Sequence, residues 1–183
     1  MEKIQSAELY AKSKHKHMTR KDGITPYSAH LEAVVSRLKG LGITDEDILC
    51  AGWLHDTIED TDTTIDDIHE RFGQRTTVLV YSLSKNENLP KKEKEIQYVK
   101  LLKDASFEAK LIKLCDISAN LKDMNNSGMS KTKKKKTVKK ILHYLRVIKN
   151  DIAEHKSGYP KISALVDGIN QILKDYHLKP ITI

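Results

Sequence analysis

Four ionisable side chains fall within six residues at His55-Asp56-Thr57-Ile58-Glu59-Asp60, directly after the apolar run Ile48-Leu49-Cys50-Ala51-Gly52-Trp53-Leu54. Burying an unpaired carboxylate is costly, so charges emerging from a buried helix need solvent, cations or protein partners around them. If helical geometry persists, His55 and Glu59, Asp56 and Glu59, and Asp56 and Asp60 each share a face. A divalent metal ion satisfies such a cluster. The same string also serves as a water-exposed acidic helix end with a half-buried His55, and taken alone it does not separate the two readings.

Two further segments bear on the choice. His30 follows Thr25-Pro26-Tyr27 on a helical stretch, and Asp116 interrupts the apolar run Leu111-Ile112-Lys113-Leu114-Cys115-Asp116-Ile117. A carboxylate in such a run calls for a partner, and Asn120, four residues later, projects from the same helix face.

In order along the chain, the segments Arg20-Lys21-Asp22-Gly23 through Thr25-Pro26-Tyr27 to His30, Ala51 to Thr61 with its HDxxED pattern, and Lys113-Leu114-Cys115-Asp116 with Asn120 resemble the alarmone hydrolase domain of the RelA/SpoT family. They are most similar to its stand-alone small hydrolases of the metazoan SpoT-homologue type. The resemblance extends over roughly residues 5 to 155 and implies an all-α, HD-domain helical bundle. It further implies His30, His55, Asp56 and Asp116 as metal ligands, with Mn²⁺ as the cofactor. Two imidazoles and two carboxylates suit Mn²⁺ or Fe²⁺, and ligand type leaves Co²⁺ and Zn²⁺ open as well. By the same resemblance, Glu59 and Asp60 orient and deprotonate the attacking water, with the base unassigned between them. Arg20 and Lys21 embrace the nucleotide, Arg20 against the purine face and Lys21 near phosphate, while Tyr27 and Asn120 complete the ribose and phosphate contacts.

The activity so implied is removal of the 3′-diphosphate of (p)ppGpp, giving GDP or GTP and pyrophosphate. The chain departs from the family pattern at Leu31, where proline is usual, at Trp53, where a small or aliphatic residue is usual, and at Ile117-Ser118-Ala119 before Asn120. These positions leave the ligands intact and keep open a different nucleotide: an adenosine alarmone, NADPH or a simple nucleotide. The synthetase domain of the long family members is not expected in a chain that ends at Ile183, so the expected activity is degradation alone.

The elements that must position these residues read as helices nearly throughout, with no alternating strand of useful length. The periodicity predicts helices over about 4–16, from about 27 to the Gly40–Gly42 break, over Asp45 to Asp56 opened by Thr44 and Asp47, over 65–72 capped by Thr64 and closed by Gly73, and over 74–84. Further helices are predicted over 90–103, with Ile96, Val99 and Leu102 facing inward, over 107–123 until Asn125-Asn126-Ser127-Gly128, over 131–155 and over 162–176.

With 183 residues, 39% hydrophobic and 31% charged, the chain fits one globular domain over residues 1–183. The longest apolar stretch is too short to cross a bilayer, and the N-terminus lacks the apolar core of an export signal. Cys50 and Cys115 both sit among apolar residues and read as reduced core cysteines of a cytoplasmic protein. Much of the net charge of +7 lies in Lys131, Lys133–Lys136, Lys139 and Lys140. That run reads first as a solvated helix start; the rival is a non-catalytic nucleic-acid-binding module, which the absence of interleaved aromatics disfavours. The sequence leaves the oligomeric state open.

Overall fold

A helix that is apolar all round must be covered all round, and the helix preceding the HDxxED string obeys this rule. In the computed structural model, which describes residues 2–183 and of residues 125 and 126 the backbone alone, every residue from Ile48 to Leu54 is buried. This helix, α3 (Glu46–Leu54), is packed by α1 (Lys3–Lys14), α2 (Ser28–Gly40), α5 (Ile65–Tyr81) and α7 (Phe107–Asn126). α7 in turn lies against α2, α8 (Lys131–His155) and α9 (Ile162–Asp175), and α6 (Lys91–Asp104) covers α8. The fold is all-α: among the described residues the only β pairing is an isolated antiparallel bridge between Thr19 and Pro26. Both cysteines are buried and free.

The contact of α2 with α3 depends on Gly52. A Cβ there would stand 2.8 Å from Leu38 Cδ1 and 3.1 Å from Val35 Cγ2. Alanine is the better helix former by about 1 kcal/mol, but overpacking a close contact costs about 1–3 kcal/mol, and the β-branched Val35 cannot rotate away freely. Gly52→Ala is therefore expected to lower stability by on the order of 1 kcal/mol despite the propensity gain. A rise in the denaturant midpoint would contradict this packing.

Several boundaries differ from the sequence-based expectations. The N-cap of α3 is Asp45, whose carboxylate accepts from the Ile48 amide at 3.1 Å, rather than Thr44. The reciprocal capping box occurs instead at Thr64 and Asp67. α3 stops at Leu54, and His55 and Asp56 form a turn before the short α4 (Thr57–Asp60). Side chains take over helical acceptors there: His55 Nδ1 donates to the Gly52 carbonyl at 2.9 Å, and Thr57 Oγ1 donates to the Leu54 carbonyl at 2.6 Å. The two helices expected on either side of Gly73 are one element kinked at that residue, whose φ of 79° suits glycine. In α6 the buried residues are Tyr98 and Leu102, while Ile96 is 63% exposed. The face is turned so that the Tyr98 ring meets Tyr144 of α8 edge-on at 5.3 Å. α7 continues to Asn126, through the first two residues of the expected break.

Candidate metal centre and substrate cavity

The HDxxED turn at the end of α3, the start of α2 and the middle of α7 meet at one point. His55 Nε2 lies 3.1 Å from Asp56 Oδ2 and 3.7 Å from Asp116 Oδ1, and His30 Nε2 lies 3.2 Å from Asp116 Oδ1 and 3.5 Å from Asp56 Oδ2. The four residues that the sequence singled out from three distant segments are thus brought together. His30, His55 and Asp56 offer ligand atoms all within 4.8 Å of one another.

The hydrogen bonding bears on what this cluster can hold. Despite the short distances, neither Nε2 has an aligned hydrogen-bond partner among the described residues, and both are buried. His55 Nδ1 is occupied by the Gly52 carbonyl, so Nε2 is left to face the carboxylates. A histidine ligand with its distal nitrogen anchored on a backbone carbonyl is the arrangement metal sites use to fix ring orientation. Buried polar atoms without partners are costly, and a divalent cation removes that cost for both Nε2 atoms at once while drawing in the two carboxylates beside them. The residues present therefore fit a metal ion.

Electrostatics agree with the geometry. Burial alone would raise Asp56 and Asp116, but His55 facing the first and Lys113 and His55 facing the second hold both carboxyls well below their usual range. Burial alone would lower His55, yet the charges of Asp56 and Asp116 push it up to about 10. Without a cation, protons do part of its work.

A shell of polar groups surrounds the four residues. Tyr27 donates its hydroxyl to Asp56 Oδ2 at 2.7 Å and stacks on His15 at 4.7 Å between ring centres. Asn120 Nδ2 donates to Asp116 Oδ1 at 2.5 Å, and Lys113 Nζ donates to Asp116 Oδ2 at 2.8 Å. Arg20 lies over the Tyr27 ring at 5.1 Å, donates to Asn120 Oδ1 at 2.7 Å and pairs with Asp123 at 3.0 Å. Tyr27, Asn120 and Arg20, expected from the resemblance as substrate contacts, thus also brace the centre itself.

These groups line one cavity of about 350 Å³ that also contains Lys21, Glu59, Asp60 and Lys85. Lys21 sits on a loop shaped by Asp22, which accepts from the amides of Ile24 and Thr25, both at 2.9 Å. Desolvation, then the charges of Arg20 and Lys133, lower the Lys21 pKa. An anion entering beside it would relieve that repulsion. The last two carboxylates of the HDxxED string differ sharply. Glu59 is held by Lys85, at 2.8 Å and 3.1 Å from Nζ and 3.0 Å from the backbone amide. Asp60 is open, and desolvation in the cavity followed by the Asp56 charge raises its pKa.

Sequence reasoning assigns no site role to Lys85, Lys113, Asp123 or Lys140. Lys113 belongs to the KLCD segment, and Lys85 carries no local signal. The lysine run was read as a surface feature, but Thr137 and Lys140, three apart on α8, face the cavity. Of the departures from the family pattern, only Ile117 lines the cavity. Trp53 is buried in the core with Lys12 over its ring, Leu31 is fully buried, and Ser118 accepts from Arg37 of α2 at 3.1 Å.

A family model described as HD domain matches residues 7–147. This chain belongs to the HD-domain family. Over 118 residues it is 40% identical to guanosine-3′,5′-bis(diphosphate) 3′-pyrophosphohydrolase MESH1 of Danio rerio and 42% identical to that of Homo sapiens, in each case across 63% of this chain and 66% of the relative. The alignment thus spans just under two thirds of those relatives. It is 32% identical to the guanosine-3′,5′-bis(diphosphate) 3′-pyrophosphohydrolase of Aquifex aeolicus, across 96% of this chain and 27% of that longer protein. A solved metazoan orthologue of SpoT, described as hydrolysing ppGpp and acting in starvation responses, superposes with a TM-score of 0.84 over 97% of both chains at 27% identity. The resemblance read from the three sequence segments is borne out, as is the all-α HD fold. Among the described residues no helix is long and apolar enough to cross a membrane.

Proposed function

We propose that this HD-domain protein is a metal-dependent (p)ppGpp hydrolase that removes the 3′-diphosphate, releasing pyrophosphate and leaving GDP or GTP. The observation that carries this reading is the convergence of His30, His55, Asp56 and Asp116, two of which, Asp56 and Asp116, line a cavity shared with Arg20, Lys21, Lys85, Lys113 and Lys140. The relatives at 40% and 42% identity bear that activity in their names. Residues 1–183 act in this reading as one hydrolase unit, working in the cytoplasm, where two buried free thiols are stable.

The four converging residues hold the ion, for which Mn²⁺ is our assignment. When bound, a divalent ion makes water more acidic and offsets charge on phosphate oxygens. The chain's own groups do the rest. Lys21 and Arg20 meet the anionic substrate, and the planar Arg20 guanidinium, already lying over Tyr27, can extend a stack to a purine. Tyr27 and Asn120 hold Asp56 and Asp116 in place while presenting their edges to the cavity. Glu59 and Asp60 face the water that attacks phosphorus.

Nothing in the cavity favours a different nucleotide on the strength of Trp53, Leu31 or Ser118, since these point into the protein core or towards α2. The test is a panel of ppGpp, pppGpp, an adenosine alarmone, NADPH and simple nucleoside triphosphates, assayed with Mn²⁺-loaded protein. GDP and pyrophosphate from ppGpp at the fastest rate in the panel is the expected result. Rapid turnover of another nucleotide beside sluggish ppGpp cleavage would overturn the substrate assignment and leave the metal centre standing.

A further inference from the structure

The carboxylate pair Glu59 and Asp60 is not symmetric, and the asymmetry comes from outside the HDxxED string. Lys85, in the segment between α5 and α6, reaches Glu59 with its ammonium at 2.8 Å and 3.1 Å and with its own backbone amide at 3.0 Å. Both Glu59 oxygens are engaged, and the contact is largely enclosed, with the Lys85 and Glu59 side chains 16% and 21% exposed. Lys85 is itself held from behind, its ammonium lying 4.5 Å from the centre of the buried Tyr98 ring. The Tyr98 ring has Lys113, the partner of Asp116, 5.4 Å from its centre. Asp60, by contrast, makes no ion pair among the described residues and opens to the cavity. The groups facing it are Asp56 and Glu59 from its own segment, with Tyr27 and His15 from the opposite side.

We propose that Lys85 is a positioning residue that divides the labour of the carboxylate pair, pinning Glu59 as a fixed hydrogen-bond acceptor for the attacking water and leaving Asp60 to take its proton. A proton acceptor needs a lone pair free to receive the proton, and a carboxylate held by an ammonium and an amide is a poor candidate, though its fixed oxygen orients a water well. The inference rests on the hydrolase reading above. In that reaction the water oxygen bonds to the 3′-linked phosphorus, and the bond from that phosphorus to the ribose 3′ oxygen breaks with its electron pair on oxygen. One water proton passes to Asp60 and from there to the ribose oxygen, so that a 3′-hydroxyl and pyrophosphate leave.

The experiment compares Lys85→Met, Lys85→Arg, Glu59→Gln and Asp60→Asn in ppGpp hydrolysis by metal-loaded protein, with kcat and KM across pH and metal content measured on each sample. Misplacement of an orienting group by about 1 Å costs on the order of 10²-fold, so Lys85→Met is expected to lose about that much kcat, with KM little changed and metal retained. Lys85→Arg, which keeps a cation for Glu59, recovers most of the loss. Asp60→Asn removes the proton acceptor, loses about 10²–10⁴-fold and abolishes the acid limb of the kcat profile, whereas Glu59→Gln keeps that limb. An undiminished kcat in Lys85→Met, an effect on KM alone, loss of metal from that variant, or an acid limb that disappears with Glu59→Gln would each overturn the division of labour. A wild-type protein that cleaves no ppGpp sinks the hydrolase reading itself, an outcome separate from a wild-type enzyme indifferent to Lys85.

Discussion

An Asp116→Ala protein is expected to lose its bound divalent metal and, with it, turnover on the order of 10³-fold, corresponding to the several kcal/mol that a metal contributes to phosphoryl chemistry. Asp116 is the side chain that ties the centre to α7: it stands 3.2 Å from His30 Nε2, accepts from Asn120 at 2.5 Å and accepts from Lys113 at 2.8 Å. Its loss has a second consequence. Lys113 is largely buried, and the Asp116 charge holds its pKa up against burial. Removing one partner of a buried pair costs about 3 kcal/mol, because the other charge stays behind unpaired. His55→Ala removes a ligand without orphaning a lysine, so it should match Asp116→Ala in lost metal and lost turnover while unfolding at higher denaturant. Elemental analysis, ppGpp turnover and urea titration on the two variants check this. Stoichiometric metal in the Asp116→Ala protein would remove Asp116 from the ligand set.

Metal affinity is expected to rise by about tenfold per pH unit around neutrality, because loading the site releases a proton. The cause lies in His55, which Asp56 and Asp116 push up to about 10 against the opposing effect of burial. Near neutral pH the metal-free site therefore holds an imidazolium, and a cation must displace that proton to reach Nε2. Asp56 and Asp116, held far below 3.8, are already ionised and add no proton to the count. Calorimetric titration of metal into apo-protein in buffers of different ionisation enthalpy reads the number released directly. An affinity flat between pH 6 and 8, or an enthalpy independent of buffer, would mean that His55 is neutral before the metal arrives.

The same shifts set the pH window of the metal-free protein. A His55 raised in the folded state contributes stability that is complete below its ordinary value of 6.5 and is lost as pH rises through about 10. Depressed Asp56 and Asp116 contribute stability that is present above 3.8 and is lost as pH falls through their lowered folded values. Together these three groups favour the fold most between about pH 4 and 6.5.

Sequence alone pointed to the all-α fold class and to the four residues that the structure brings together. Helical periodicity is local, so the stretches that became α2, α7 and α8 could be read from spacing, and the buried α3 from the continuity of its apolar run. His55 and Asp56 were visible because charge at the end of that run demands compensation, and Asp116 because a carboxylate interrupts an apolar segment. Their grouping with His30 came from three motifs matching one family in order. Tertiary structure alone decided what surrounds them. Lys85 reaches Glu59 across 26 positions and Arg20 reaches Asn120 across 100, and no spacing rule links residues so far apart in the chain. The helix break at His55 likewise escaped the pattern, because it depends on ring and hydroxyl groups competing for the Gly52 and Leu54 carbonyls. The lysine run gave a charge but not a direction. Only the docking of α8 on α7 turned Thr137 and Lys140 towards the cavity, since the bearing of a polar helix face is set by where its apolar face is buried.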